Sequence, residues 1–114
     1  MATKRSVGKS LTTTLTDIYE VPANKRAEWI LVYITNTAGS TETVTVSYYD
    51  ASQTASLPVL SGYSLSAKEF FQLGGNYNEF IMMEAGDKIQ ASATANATIL
   101  ISVLEHNATA VRGE

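Results

Sequence analysis

Asp17-Ile-Tyr-Glu-Val-Pro-Ala-Asn-Lys-Arg-Ala-Glu-Trp-Ile-Leu-Val-Tyr-Ile-Thr-Asn36 reads as a short strand, a turn pinned by Pro22, and a second strand that ends at Asn36. Phe80-Ile-Met-Met-Glu-Ala-Gly-Asp-Lys-Ile-Gln-Ala91 repeats the device: a strand, a turn on Gly86 and Asp87, and another strand. Apolar runs of strand length separated by Pro, Gly, Asn and Asp are the punctuation of an all-β chain.

Working outward, the alternation of Leu11, Thr13 and Leu15 suggests a strand over 10–16 that continues through Ile18 to Val21, where Pro22 stops it for want of an N–H. After the strand ending at Thr35, the cluster Asn36-Thr37-Ala38-Gly39-Ser40 turns the chain. Val44, Val46 and Tyr48 then alternate with Thr43, Thr45 and Ser47. Leu57-Pro58-Val59-Leu60 suits an edge strand, 66–73 another strand, and Phe80–Glu84, Lys88–Thr94 and Thr98–Glu105 three more. The expectation is a single all-β sandwich over residues 10–114, jelly-roll-like, with about eight antiparallel strands.

Residues 1–9 have few apolar side chains and no period, and read as a flexible arm. Lys4, Arg5 and Lys9 make this arm basic, whereas residues 10–114 hold five basic against eleven acidic side chains, a net −6. An acidic body speaks against nucleic acid as a partner, which selects for a positive face. The chain is 114 residues long, enough for one core. It has no cysteine, which excludes disulfides, thiolate metal sites and cysteine nucleophiles. No apolar segment follows the basic start, which speaks against a secretory signal, and no stretch approaches the ~20 apolar residues of a membrane helix.

Candidate chemistry is sparse. His106 is the sole histidine and has no Cys, His or carboxylate pair near it in sequence. Gly8-Lys9-Ser10 copies the end of a phosphate-binding loop, but Thr3 stands where that loop needs its first glycine. Asp87 reads as a turn aspartate capping its own backbone. Asn96-Ala-Thr and Asn107-Ala-Thr match glycosylation acceptors at turn-rich positions. Tyr48, Tyr49, Tyr63 and Tyr77 could stack on sugars or simply fill strands and loops. The reading assigns no catalytic residue, no metal and no cofactor, and the chain is not expected to be an enzyme.

The stronger signal is a surplus of apolar residues. A strand of one sandwich presents one face to the core and one to water. Here Trp29, Leu31 and Tyr33 oppose Ile30, Val32 and Ile34; Phe80 and Met82 oppose Ile81 and Met83; Leu100 and Leu104 oppose Ile99, Ile101 and Val103. One set of each must leave the core and be covered by another subunit or by spare chain. The β-branched set suits the core, so Trp29, Leu31, Tyr33, Phe80 and Met82 are the expected oligomer interface.

Tyr19-Glu-Val-Pro-Ala, Tyr33-Ile-Thr-Asn-Thr and Glu84-Ala-Gly-Asp-Lys-Ile together resemble the pattern of small β-sandwich virion proteins of tailed bacteriophages, among them capsid cement (decoration) proteins. The basic arm has no counterpart in that pattern. The resemblance implies a virion component on the capsid surface, with the major capsid protein as partner. It also implies a homo-oligomer, commonly a trimer at local three-fold axes. Pro22, Asn36, Gly39, Gly86 and Asp87 would shape its turns, and Lys4, Arg5 and Lys9 are the expected capsid-contact arm. Head-fibre or tail modules that bind receptors or glycans, and head-to-tail joining proteins, share the likeness.

Overall fold

A computed structural model of the chain describes residues 3–74, 81–94 and 97–107. Nine strands make up its regular structure: β1 Thr3–Ser10, β2 Thr16–Glu20, β3 Lys25–Asn36, β4 Glu42–Asp50, β5 Ala55–Leu65, β6 Phe70–Gly74, β7 Ile81–Met83, β8 Lys88–Ala93 and β9 Ala97–Asn107. They form two antiparallel sheets. The first runs β1-β9-β3-β6, with β7 pairing the other end of β3 on the same side as β6; the second runs β2-β8-β4-β5.

With β6 and β7 counted as one interrupted strand, this is the order of an eight-stranded jelly roll. The chain crosses between sheets at almost every connection and stays within one only at β4–β5 and β6–β7. The core lies between the sheets and is built from period-two positions: Val32, Ile34, Ile99, Ile101 and Val103 of the first sheet against Val44, Val46 and Ile89 of the second.

Four sequence expectations are corrected. Residues 3–10 are not a flexible arm but the edge strand β1, paired in register with β9 from Thr3↔Glu105 to Ser10↔Thr98. The side-chain argument for flexibility was sound as far as it went, since only Val7 of β1 is even half-buried. The strand is held instead by its backbone ladder, which needs no apolar side chain.

Residues 11–15, read as a strand from their alternation, form the connection between the sheets. There the Leu11 N–H donates to Ala97 O and the Ala93 N–H to Thr12 O. The edge strand around Pro58 is much longer than 57–60: β5 covers eleven residues, with a positive φ at Gly62 and register shifts against β4 that absorb the break.

The fourth correction concerns β3. Its pairing with β9 runs Trp29↔Val103 and then Leu31↔Ser102, so Ile30 is an extra residue, a β-bulge. A bulge reverses the alternation of every side chain beyond it. Ala27 and Trp29 therefore face the core before the bulge and Val32, Ile34 and Asn36 after it, while Leu31 and Tyr33 turn outward. Trp29, expected outside, is fully buried.

The bulge is held on both sides. The Trp29 indole Nε1 donates to Leu31 O at 3.0 Å, and Gly74 packs against the bulged carbonyl so closely that a Cβ there would lie 2.3 Å from Ile30 O. Gly74 also has φ +82, and Gly86 has φ +89 with only Ala51 Cβ nearby at 3.3 Å. Gly86→Val should therefore cost roughly 1–3 kcal/mol, the usual cost of a left-handed side chain. Gly74→Ala should cost more despite its smaller side chain, because the obstacle is backbone. Urea denaturation of both variants checks the order; a Gly74→Ala protein as stable as Gly86→Val would show that the bulge relaxes freely.

Candidate functional site

The register of the first sheet gathers the surplus apolar residues onto one outer face. Across β1, β9, β3 and β6, one row reads Gly8, Leu100, Tyr33, Gln72 and the next Ser6, Ser102, Leu31, Gly74. A third, ending on β7, reads Lys4, Leu104, Glu28, Met82. Leu100 is 44% exposed, Met82 39% and Phe70 59%. The Phe70 ring stacks on Tyr33 with centroids 5.1 Å apart and planes 2° from parallel. Gly8 has no side chain to shield Leu100, and the Ser6 and Ser102 hydroxyls bond each other at 2.8 Å in the middle of the face.

The residues singled out from sequence divide as follows. Leu31, Tyr33 and Met82 stand on this outer face; Trp29 lies in the core beneath it; Phe80 lies outside the described residues. Phe70, Leu100 and Leu104 complete the face. Leu100 and Leu104 were visible as the outward half of a two-sided strand, whereas Phe70 carried no signal, since its neighbour Phe71 is equally apolar and points into the sandwich.

The three basic residues of β1 separate. Lys4 joins the outer face beside Leu104, Arg5 lies on the core side with Nη1 3.5 Å from Glu105 Oε2, and Lys9 Nζ reaches the Asp17 carbonyl oxygen at 3.5 Å.

Buried polar clasps hold this face rigid. Glu105 of β9 accepts a 2.5 Å hydrogen bond from the Tyr19 hydroxyl of β2, which ties the two sheets together at one end, while Arg5 ties in β1. The Asp87 carboxylate accepts from the Tyr48 hydroxyl at 2.7 Å and from the backbone N–H groups of Ala51 and Glu84, both at 2.9 Å. Asn36 is fully buried; its amide donates to Ser40 O, Leu65 O and Ser66 O and accepts from the Ala38 N–H. Pro22 O accepts from the Lys25 N–H across a turn with Asn24 at φ 66, and Gly39 sits in open space in the β3–β4 turn.

His106 Nε2 is 2.7 Å from Glu28 Oε2 on the outer face. Among the described residues, no three metal-ligating side chains converge. Of the tyrosines considered as a sugar platform, Tyr48 is bonded to Asp87, Tyr49 lies under Lys88 Nζ, and Tyr63 packs on Phe71; Tyr77 lies outside the described residues.

The chain matches no established protein-family model, and no curated protein matches its sequence. Solved structures with a similar fold include a chain from Bacillus endospore appendages, described as a family of disulfide-linked pili. It is 16% identical, with 94% of this chain and 87% of that one covered and a TM-score of 0.50. They also include a chain of the acid-stable capsid of Helicobacter pylori bacteriophage KHP30, 13% identical, with 92% of each chain covered and the same TM-score. At such identities the likeness establishes a shared all-β fold between this chain and structural proteins of a capsid and a pilus.

The clasps give an alkaline signature. Burial, and then the hydrogen bond to Glu105, push the Tyr19 hydroxyl well above its ordinary range; burial and the bond to Asp87 do the same for Tyr48. Below pH ~10 both tyrosines are protonated in folded and unfolded chains, and their contribution is fully present. Above that the unfolded chain ionises first, so stability should fall by about 1.4 kcal/mol per pH unit for each tyrosine. Lys88, raised by its hydrogen bond to Asp17, acts in the same direction. Urea midpoints measured from pH 9 to 11 should fall more steeply in the parent chain than in Tyr19→Phe; equal slopes would mean that the Tyr19–Glu105 bond does not persist in solution.

Proposed function

We propose that this chain is a structural protein of a virion: a capsid cement (decoration) protein that binds the outer capsid surface as an oligomer, contacts the major capsid protein, and bridges capsomers to stabilise the head. The observation that carries this reading is a disulfide-free jelly roll, clasped at its ends, that leaves one sheet face apolar and open. Such a body is suited to binding over an area. The fold likeness to a phage capsid chain agrees with it.

The mechanism is mechanical. Packaged nucleic acid strains the boundaries between capsomers, and a small rigid body seated across a boundary adds interface where subunits would otherwise part. Lys4, at the rim of the open face, is free to meet an acidic coat surface, and Lys9 reaches the backbone from the edge strand. These attractions weaken with salt.

A receptor- or glycan-binding role draws less support, because Tyr48, Tyr49 and Tyr63 are dispersed and engaged. The disulfide linkage named for the endospore pili is closed to a chain without cysteine.

Copy number in purified particles tests the reading, because the symmetry of each location sets it: hundreds per virion for cement, tens for fibres, about a dozen for a joining ring. Added to particles lacking it, the protein should bind saturably and raise the temperature at which shells release their contents. Particles that neither bind it nor gain heat resistance would sink the proposal.

A further inference from the structure

Resting on the reading of this chain as an assembling structural protein, we infer that the occupant of the open face is the same face of a second copy, in a two-fold pair. One edge of each sheet is a poor site of association. β1 carries Lys4, Arg5 and Lys9 along its free edge, and β5 carries Pro58 and the left-handed Gly62. Charge and proline on an outer strand oppose edge-to-edge pairing. The face is guarded by charge only at one end: Leu31, Tyr33, Phe70 and Leu100 line its middle and far end beside the Ser6–Ser102 pair, with Leu104 and Met82 flanking Glu28 at the charged end.

A head-to-tail ring needs two unlike patches that fit each other, whereas a two-fold contact needs one patch that fits itself. Among the described residues, this is the one apolar patch of that size. The other exposed large apolar residues, Leu15, Leu57 and Tyr63, lie on the inter-sheet connection and on β5. Such scattered residues are ordinary surface.

Size and charge set the strength and direction of the pair. Four strands about 4.8 Å apart and some 30 Å long present roughly 600 Å² per copy, or about 1,200 Å² for the pair, at the lower bound of stable interfaces. Lys4, Arg26, Glu28 and His106 cluster at one end of the face, with Glu28 already bonded to His106. The other end carries the hydroxyls of Ser10, Thr35 and Thr98. Aligning like ends would stack one charged cluster on the other and take both out of water. The strands of the two copies therefore run in opposite directions, charged end over hydroxyl end, with Leu31 near the axis.

Sedimentation equilibrium across micromolar concentrations should show a reversible monomer–dimer equilibrium, the monomer being 12.3 kDa. Leu100→Asp, at a site already 44% exposed, should keep the β-sheet circular dichroism and raise the dimer dissociation constant at least a hundredfold, as expected for a charge set into an apolar contact. Because the chain has no cysteine, Leu31→Cys gives an independent test. It should form a covalent dimer under mild oxidation, and Ser56→Cys on the opposite sheet should not.

A monomer at a hundred micromolar, a trimer, or a dimer insensitive to Leu100→Asp would overturn the inference, as would loss of the fold in Leu100→Asp with no Leu31→Cys dimer. If the Leu100→Asp monomer decorates particles as tightly as the parent chain, the pair fails as the assembling unit while the cement reading stands. If the parent chain pairs but binds no particle, the cement reading alone fails.

Discussion

The extra residue at Ile30 decides which side chains this protein hides and which it shows. Without the bulge, period-two alternation would put Leu31 and Tyr33 into the core with Trp29, and send Val32 and Ile34 to the outer face. With it, the long strand β3 buries its largest side chain near one end and its β-branched residues near the other. Two neighbours make the irregularity possible: Trp29, whose indole N–H occupies the Leu31 carbonyl, and Gly74, which leaves room for the Ile30 carbonyl. The outward apolar patch and the inward tryptophan are thus two results of one backbone defect.

A chain of this length without disulfides has little core to spare, and its buried carboxylates and amide are each well bonded, although Arg26 Nε is buried without a hydrogen-bond partner. Glu105, Asp87 and Asn36 each sit at an end of the sandwich, where alternating strands leave the core and the layers must still be joined. Each draws several donors or acceptors from different elements. Removing one partner of such a node leaves the others buried and unpaired, which costs more than the bond itself contributes. The rigid frame on which the open face is carried depends on these nodes as much as on apolar packing.

Much of this was legible from the residues. Turn chemistry at Pro22, Gly86 and Asp87 separates the strands, and the count of apolar residues on β3, β7 and β9 shows that some must lie outside one core. The phase of β3 was not legible, because Ile30 and Leu31 are both apolar and a bulge between them leaves no mark in composition. Nor was β1: its side chains argue for a loose tail, and only the ladder to β9 shows what holds it. Alternation misled in the opposite way over Leu11 to Leu15, where buried Leu11 plugs a sheet-to-sheet connection. The candidate face was visible as separate surpluses, and only register brought them side by side.

The guarded edges and the open face also bear on what kind of assembly such a chain can build. A filament subunit needs two unlike contacts, so that each addition exposes the site for the next; a self-complementary patch is consumed by one partner and growth stops. The basic side chains along β1, read from sequence as an arm reaching for a coat protein, have a nearer consequence here. They keep the free edge of the first sheet from recruiting another strand.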